Sequence, residues 1–292
     1  MNLIRAWVRE IRPHQWAKNL LLFMPAMAGH VGLTRTRVSE LVLGFAAFSL
    51  LASSVYVVND LVDLPNDREH ATKRHRPVAA GLISPAGALA GAVVLIGLAV
   101  GAAWSLPRHF QIVLLIYLAL TTAYSFVLKR RVMMDVIALA SLYTIRVVAG
   151  STLADAPLSQ WFLAFSIFFF FSLAIVKRVA ELRPMIGAGE TAVAGRGYVA
   201  SDLPTLTALG IGASTASSLV YCLYITSAEV TLLYQHANLL WIGLPLFLYW
   251  QGRVWMLTSR GRMNEDPVVF ALHDRMSYLI AAGFMLTVWV AT

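Results

Sequence analysis

Residues 59–67 read N-D-L-V-D-L-P-N-D and directly follow an uninterrupted apolar run. Asp60, Asp63 and Asp67 stand at i, i+3 and i+7, with Asn59 one residue before. On a helix that spacing puts three carboxylates on one face. Such carboxylates repel one another and are costly to desolvate near lipid. Cations must neutralise them. Hard oxygen ligands suit Mg²⁺, which takes one or two carboxylates plus the phosphates of a substrate. The expected chemistry is therefore a magnesium-held diphosphate at a membrane surface. The plainer alternative is a solvated acidic helix end. Carboxylates favour helix N-termini, whereas this cluster follows a helix at its C-terminal end, where the macrodipole opposes negative charge.

The elements that must position this cluster are membrane spans. The chain has 292 residues, 59% of them apolar and 13% charged. Its mean hydropathy is +0.69. A soluble domain of this size would carry roughly twice that charge. Apolar stretches long enough to span predict an all-α polytopic membrane protein with about nine transmembrane helices, near 17–34, 38–59, 84–104, 109–127, 134–152, 159–176, 203–226, 236–257 and 275–291. The first is interrupted by Lys18, Asn19 and Pro25. The opening residues, M-N-L-I-R-A-W-V-R-E-I-R, read as a basic amphipathic interfacial helix rather than a signal peptide. One domain over 1–292 is expected. The single cysteine, Cys222, lies in an apolar span and excludes an intrachain disulfide.

Charge placement sets the orientation. With the N-terminus inside, nearly all Lys and Arg fall on the cytoplasmic side, and only Arg35, Arg37 and Arg108 lie in outer loops. This positive-inside pattern accounts for the net charge of +8 without invoking nucleic acid. Asp60, Asp63, Asp67, Asp135, Glu181, Asp266 and Asp274 fall on the same side, so all plausible chemistry gathers at one face. The polar segment 64–77, with Lys73 and Arg76, is a candidate lid; 185–197 reads as a connector. Lys177, Arg178 and Glu181 follow the sixth span as the aspartates follow the second, which hints at a repeat. The seven histidines show no metal-ligand pairing. Phe168 to Phe171 read as lipid-facing or core residues before a lipid groove.

The Asn59-Asp60-x-x-Asp63-x-x-x-Asp67 run resembles the first aspartate-rich motif of the UbiA superfamily of intramembrane prenyltransferases, and Arg12 to Asn19, R-P-x-Q-W-x-K-N, adds to the likeness. The superfamily has a second aspartate-rich motif after helix six; here that place reads K-R-V-A-E-L-R from Lys177. Tyr124-Ser125-x-x-Leu128-Lys129, Asp135, Arg146-x-x-Ala149-Gly150, Lys177-Arg178-x-x-Glu181-Leu182, Asp266-Pro267-Val268 and Asp274-Arg275 resemble the decaprenyl-phosphate phosphoribosyltransferase branch. That resemblance implies nine helices around a cavity open to the cytoplasmic face of a bacterial plasma membrane. The implied donor is phosphoribosyl pyrophosphate, and the implied acceptor is a polyprenyl phosphate. The alternative is prenyl transfer from an isoprenyl diphosphate to an aromatic or other small acceptor.

Within that reading Asp60, Asp63, Asp67 and Asn59 hold Mg²⁺. Lys18, Lys73, Arg76, Lys129, Lys177, Arg178 and Glu181 serve the substrates, mainly as phosphate contacts and their partners. Tyr124 is either a hydrogen-bond donor to substrate or an interfacial tyrosine. Arg146, inside span five, is either functional or paired with Asp135 or Glu181. A transporter would spread its charges through the membrane depth, which this chain does not do.

Overall fold

A computed structural model describes residues 2–29, 32, 34–69, 72–156, 158–187, 197–263 and 266–292. In chain order the helices are α1 (Leu3–Glu10), α2 (Met24–Ala28), α3 (Arg35–Val62), α4 (Leu64–Glu69), α5 (Pro85–Trp104), α6 (Arg108–Phe126), α7 (Met134–Ala154), α8 (Gln160–Gly187), α9 (Leu203–Ile225), α10 (Ala228–Leu233), α11 (Gly243–Ser259), α12 (Pro267–Ala271) and α13 (Arg275–Ala291). No β-strand occurs among the described residues. Local sequence sets the starts. Thr34 caps α3 by accepting from the Arg37 amide, and Ser84, before Pro85, caps α5 by accepting from Gly87.

Among the described residues, six helical stretches are long and apolar enough to span: Arg35–Val62, Pro85–Trp104, Arg108–Phe126, Met134–Ala154, Gln160–Pro184 and Ala200–Ile225. They match the second to seventh expected spans. The ninth, 275–291, is α13. The first expected span is not a regular helix: Pro13–Phe23 is a 3₁₀ segment that leads into the short α2. Polar residues explain this. Asn19 donates to Ser49 Oγ and the Trp16 indole donates to Ser53 Oγ, both at 3.0 Å. These tether the segment to α3, so Lys18 and Asn19 are buried rather than lipid-facing. The connector 185–197 lies mostly outside the described residues.

The chain forms two compact units. The first comprises Met1–Ser125 and Ile145–Pro157. Here α3 packs on α5, and Ala6, Val57, Val78, Ile83, Ala88 and Ala92 make a core that includes Trp7. A Cβ on Gly91 would meet the Trp7 ring at 2.1 Å, so only glycine lets α1 lie this close to α5. Gly150 does the same on α7, where a Cβ would stand 2.0 Å from the Leu22 carbonyl oxygen. Small residues at such crossings are how helices associate without a hydrophobic drive.

The second unit comprises Phe126–Thr144 and Leu158–Thr292. Helices α8 and α9 are its most extensive pairing. Gln251 accepts from Ser218 and donates to Ser217, and Trp255 donates to Ser172, so buried polar atoms satisfy one another. The phenylalanine run divides: Phe168 is exposed to lipid, whereas Phe170 is buried and stacks on Tyr143. Leu89, Val93, Val94 and Leu98 on α5, and Leu115 and Ile116 on α6, are also largely exposed. Such apolar faces are stable against hydrocarbon, not water. The protein is an integral membrane protein with an all-α fold.

Candidate active site

The acidic motif sits where α3 ends. Asp63 caps that helix, its amide donating to the Asn59 carbonyl, and α4 starts at once with Leu64-Pro65. The Asp67 amide donates to the Asp63 carbonyl at 2.8 Å, so the turn carries on past the break. Asp60 and Asp67 are buried at 4% and 2% exposure, while Asp63 and Asn59 are half-buried. One guanidinium joins the two buried acids. Arg76 Nη1 lies 3.0 Å from Asp60 Oδ1 and 2.6 Å from Asp67 Oδ2. Arg12 Nη2 donates to both Asp60 oxygens, at 2.8 and 2.6 Å.

Arg12 reaches Asp60 from an unusual backbone. Its φ is 51°, in the left-handed region, between the end of α1 and Pro13. Its guanidinium also stands 5.2 Å above the centre of the Tyr56 ring. Both arginine side chains keep about a quarter of their surface accessible, against 5% or less for the acids they hold. The sequence argument held that only metal cations could neutralise these aspartates. The structure corrects it: two guanidiniums do so, offsetting both the buried charge and the unfavourable end of the α3 dipole.

A fourth carboxyl belongs to the cluster. Glu10, the last residue of α1, is 1% exposed, and neither of its oxygens has a hydrogen-bond donor. Burial lifts its carboxyl to about 7, and the Asp60 charge beside it adds to the rise while Arg12 opposes it. Glu10 and Asp60 are both acceptors when ionised, so they meet without a hydrogen bond unless one is protonated. Sequence reasoning missed Glu10 and Arg12. The available signal was the i, i+4 pair Ala6 and Glu10, which puts an acid on the inward face of a basic amphipathic helix.

Among the described residues, no three acidic, histidine or cysteine side chains converge as a metal centre in this arrangement. The donor chemistry still fits a hard divalent cation. Asp60, Asp63, Asp67 and Asn59 offer only oxygen acceptors, and the Glu10 oxygens are buried and undonated.

Arg146 is 5% exposed and lies in the first unit. Its Nε donates to Asn19 Oδ1 at 2.8 Å, and Nη2 donates to the Tyr117 hydroxyl at 3.0 Å. The expected partners Asp135 and Glu181 are instead engaged by Arg178. Lys18 is buried in the 3₁₀ segment 13–23, Lys73 is exposed, and Tyr124 is half-buried near the end of α6. The candidate lid is partly ordered structure: α4, then a 3₁₀ turn Lys73–His75 that delivers Arg76 to the carboxylates. Its residues 70 and 71 lie outside the described set.

The second unit has its own charged cluster. Helix α8 runs on to Gly187, so Lys177, Arg178 and Glu181 are helical rather than in a loop. Arg178 is 1% exposed, with Nε 2.5 Å from Asp135 Oδ2 and Nη1 on Glu181. Asp135 is fully buried and also accepts from the Tyr198 hydroxyl. Burial and that carboxylate push the Tyr198 phenol well above its usual range. The expectation that Arg178 contacts phosphate is therefore corrected: a sealed cation with two carboxylates against it is a structural staple. Lys177 Nζ lies 3.1 Å from Asp266, whose carboxylate also accepts twice from the Tyr143 hydroxyl at 2.8 Å. Lys177 and Lys129 are both half-buried.

The sequence pattern of the UbiA prenyltransferase family matches residues 22–281. The chain belongs to that family. It is therefore a UbiA-type membrane transferase. It is 33% identical to a decaprenyl-phosphate phosphoribosyltransferase of Mycobacterium tuberculosis over 99% of this chain and 95% of that protein. It is 38% identical, over 96% of its length, to the uncharacterized protein y4nM of Sinorhizobium fredii, of which it spans 54%. A UbiA homolog from Archaeoglobus fulgidus bound to GPP and Mg²⁺ shares the fold, with TM-score 0.73 at 18% identity over 98% of this chain and 99% of that one.

Proposed function

We propose that the protein transfers the 5-phosphoribosyl group from phosphoribosyl pyrophosphate to a polyprenyl phosphate, releasing diphosphate. The observation that carries this reading is the near full-length identity to a decaprenyl-phosphate phosphoribosyltransferase. The geometry supports it. A diphosphate donor needs acid groups for a cation and basic groups for its oxygens at one place, and the first unit supplies both.

Asp60, Asp63, Asp67 and Asn59 would hold Mg²⁺, a reading supported by the Mg²⁺ in the archaeal neighbour. When bound, the ion neutralises the diphosphate and makes it a better leaving group. Arg12 and Arg76 are accessible enough to turn from carboxylate to phosphate oxygens, as bidentate guanidinium donors do. The ribose C1–O bond to diphosphate breaks as a lipid phosphate oxygen bonds to C1. No protein base is required, because the acceptor phosphate is already anionic near neutral pH. Lys18, Lys73, Tyr124, Lys129 and Lys177 are assigned to substrate phosphates and hydroxyls. Arg146 fixes Asn19 and Tyr117 around the 3₁₀ segment, and Arg178 with Glu181 fixes α8. The cytoplasmic placement of the N-terminus and site in a bacterial plasma membrane, with nine spans around a cavity open to that face, belongs to the same proposal and is supported by the positive-inside distribution.

The test is direct. Purified protein with labelled phosphoribosyl pyrophosphate, polyprenyl phosphate and Mg²⁺ should yield labelled lipid, and EDTA should stop it. Turnover of an isoprenyl diphosphate with an aromatic acceptor, and none of the ribosyl donor, would reject the phosphoribosyl assignment and leave the family activity standing.

A further inference from the structure

We infer that Glu10 is an additional carboxylate ligand of the divalent-cation site at the end of α3. The inference rests on the assignment of that site to a cation and extends it to a residue outside the aspartate motif. Its basis is the state of the Glu10 side chain. A carboxylate that is 1% exposed, without one hydrogen-bond donor, is costly unless some state of the protein gives it a partner. The neighbouring donors are already committed. Arg12 Nη2 is on both oxygens of Asp60, and Arg76 Nη1 is shared between Asp60 and Asp67. Glu10, Asp60 and Asp67 thus face only Arg12 and Arg76, and the carboxylate left over is Glu10.

Glu10 cannot leave this position cheaply. Ala6, one turn before it on α1, is fully buried against the core that includes Val57 and Val78. Trp7 is seated on Gly91, where no side chain would fit. The helix is fixed on that face, so its last residue is fixed beside Asp60. A divalent cation supplies what this arrangement lacks. It takes oxygen from Glu10 and Asp60 together, and it adds the positive charge that frees Arg12 and Arg76 for diphosphate oxygens. The otherwise basic α1 then has a defined task beyond lying on the membrane: it closes the metal site from the side opposite the motif's own helix.

The experiment is Mn²⁺ binding, read by electron paramagnetic resonance on the full-length detergent-solubilised protein, alone and with inorganic pyrophosphate. Wild type, Glu10→Gln, Glu10→Asp and Asp60→Asn are compared. Glu10→Gln is expected to weaken Mn²⁺ binding by tenfold or more, and Glu10→Asp by less, since it keeps the charge on a shorter arm. Melting of Glu10→Gln in EDTA should be no lower than wild type, because an undonated carboxylate has been replaced by a neutral group. If Asp60→Asn abolishes binding while both Glu10 variants stay within twofold of wild type, Glu10 is not a ligand and the cation site stands without it. If wild type binds no Mn²⁺ that depends on Asp60, the cation site itself is wrong and the role of Glu10 goes with it. Should Glu10→Gln fail to fold, the Glu10→Asp affinity decides: unchanged binding overturns the inference.

Discussion

The two charged clusters use the same side-chain types and do opposite things. At the end of α3, buried acids are held by arginines whose side chains remain about a quarter accessible. In α8, the cation is the sealed partner: Arg178 is 1% exposed, and one of its acids, Asp135, is fully buried. The first arrangement can exchange its counter-ions with a ligand, and it carries one carboxyl too many. The second cannot, because removing either member leaves an uncompensated charge where water cannot reach it. Ion pairing therefore does not mark function here; accessibility of the cation does. A basic motif read from sequence as phosphate-binding became a staple because its acids were supplied locally, by Glu181 three residues on and by Asp135.

The largest expected effect tests the exchangeable cluster. Asp60→Asn keeps the shape of the site and removes the charge shared by Arg12 and Arg76. Turnover should fall by roughly a thousandfold or more, about 4 kcal/mol of barrier, while the variant still purifies as a folded protein. Near-normal, magnesium-dependent turnover would remove the acidic motif from the chemistry and erase the contrast between the clusters.

Arg178→Ala should act on the fold instead. Leaving Asp135 buried and unpaired should cost about 3–5 kcal/mol, read as a lower melting temperature in detergent and loss of expression. Magnesium should not restore it. Arg76→Ala is the matching change on the other side. It should cost less, about 1–3 kcal/mol, and added Mg²⁺ should recover much of the loss by taking over Asp60 and Asp67. Equal responses of the two variants to Mg²⁺ would show that the clusters do not differ in the way their accessibilities indicate.

How legible all this was depends on range. Helices α3, α5, α6, α7, α8 and α9 were readable because twenty or so apolar residues in a row have few other fates. The acidic motif was readable because its four polar residues lie within one short stretch. What lay further apart was not. Arg12 meets Asp60 across 48 positions, and Lys177 meets Asp266 across 89. No local pattern encodes such distances. Pro13–Phe23 was read as the start of an apolar span because its hydrogen bonds to Ser49 and Ser53 on α3 are equally remote. Glu10 was passed over because its helix is basic and reads as interfacial, although Ala6 on the same face shows which way that face turns.

The smallest effect concerns a third ion pair, which lies between these extremes. Asp274 caps α13, accepts from Ser277, and takes both Nη atoms of Arg253 at 2.6 and 2.9 Å. Burial alone would raise its carboxyl, but the hydrogen bonds from Arg253 and Ser277 outweigh it, and the value falls below the ordinary 3.8. The sign follows. On acidification the unfolded chain takes the proton first, so the pair's contribution is complete above about pH 4 and is lost as pH drops through the depressed folded value. Melting temperature in detergent should therefore decline below pH 4 less steeply in Asp274→Asn than in wild type, with the two curves parallel above pH 5. The effect should be modest, because a pair with Arg253 26% accessible is partly screened by solvent. If the wild-type curve is as flat as the variant's, this half-open pair carries no stability. Accessibility would then separate the clusters into sealed staples and ligand-ready sites with nothing between them.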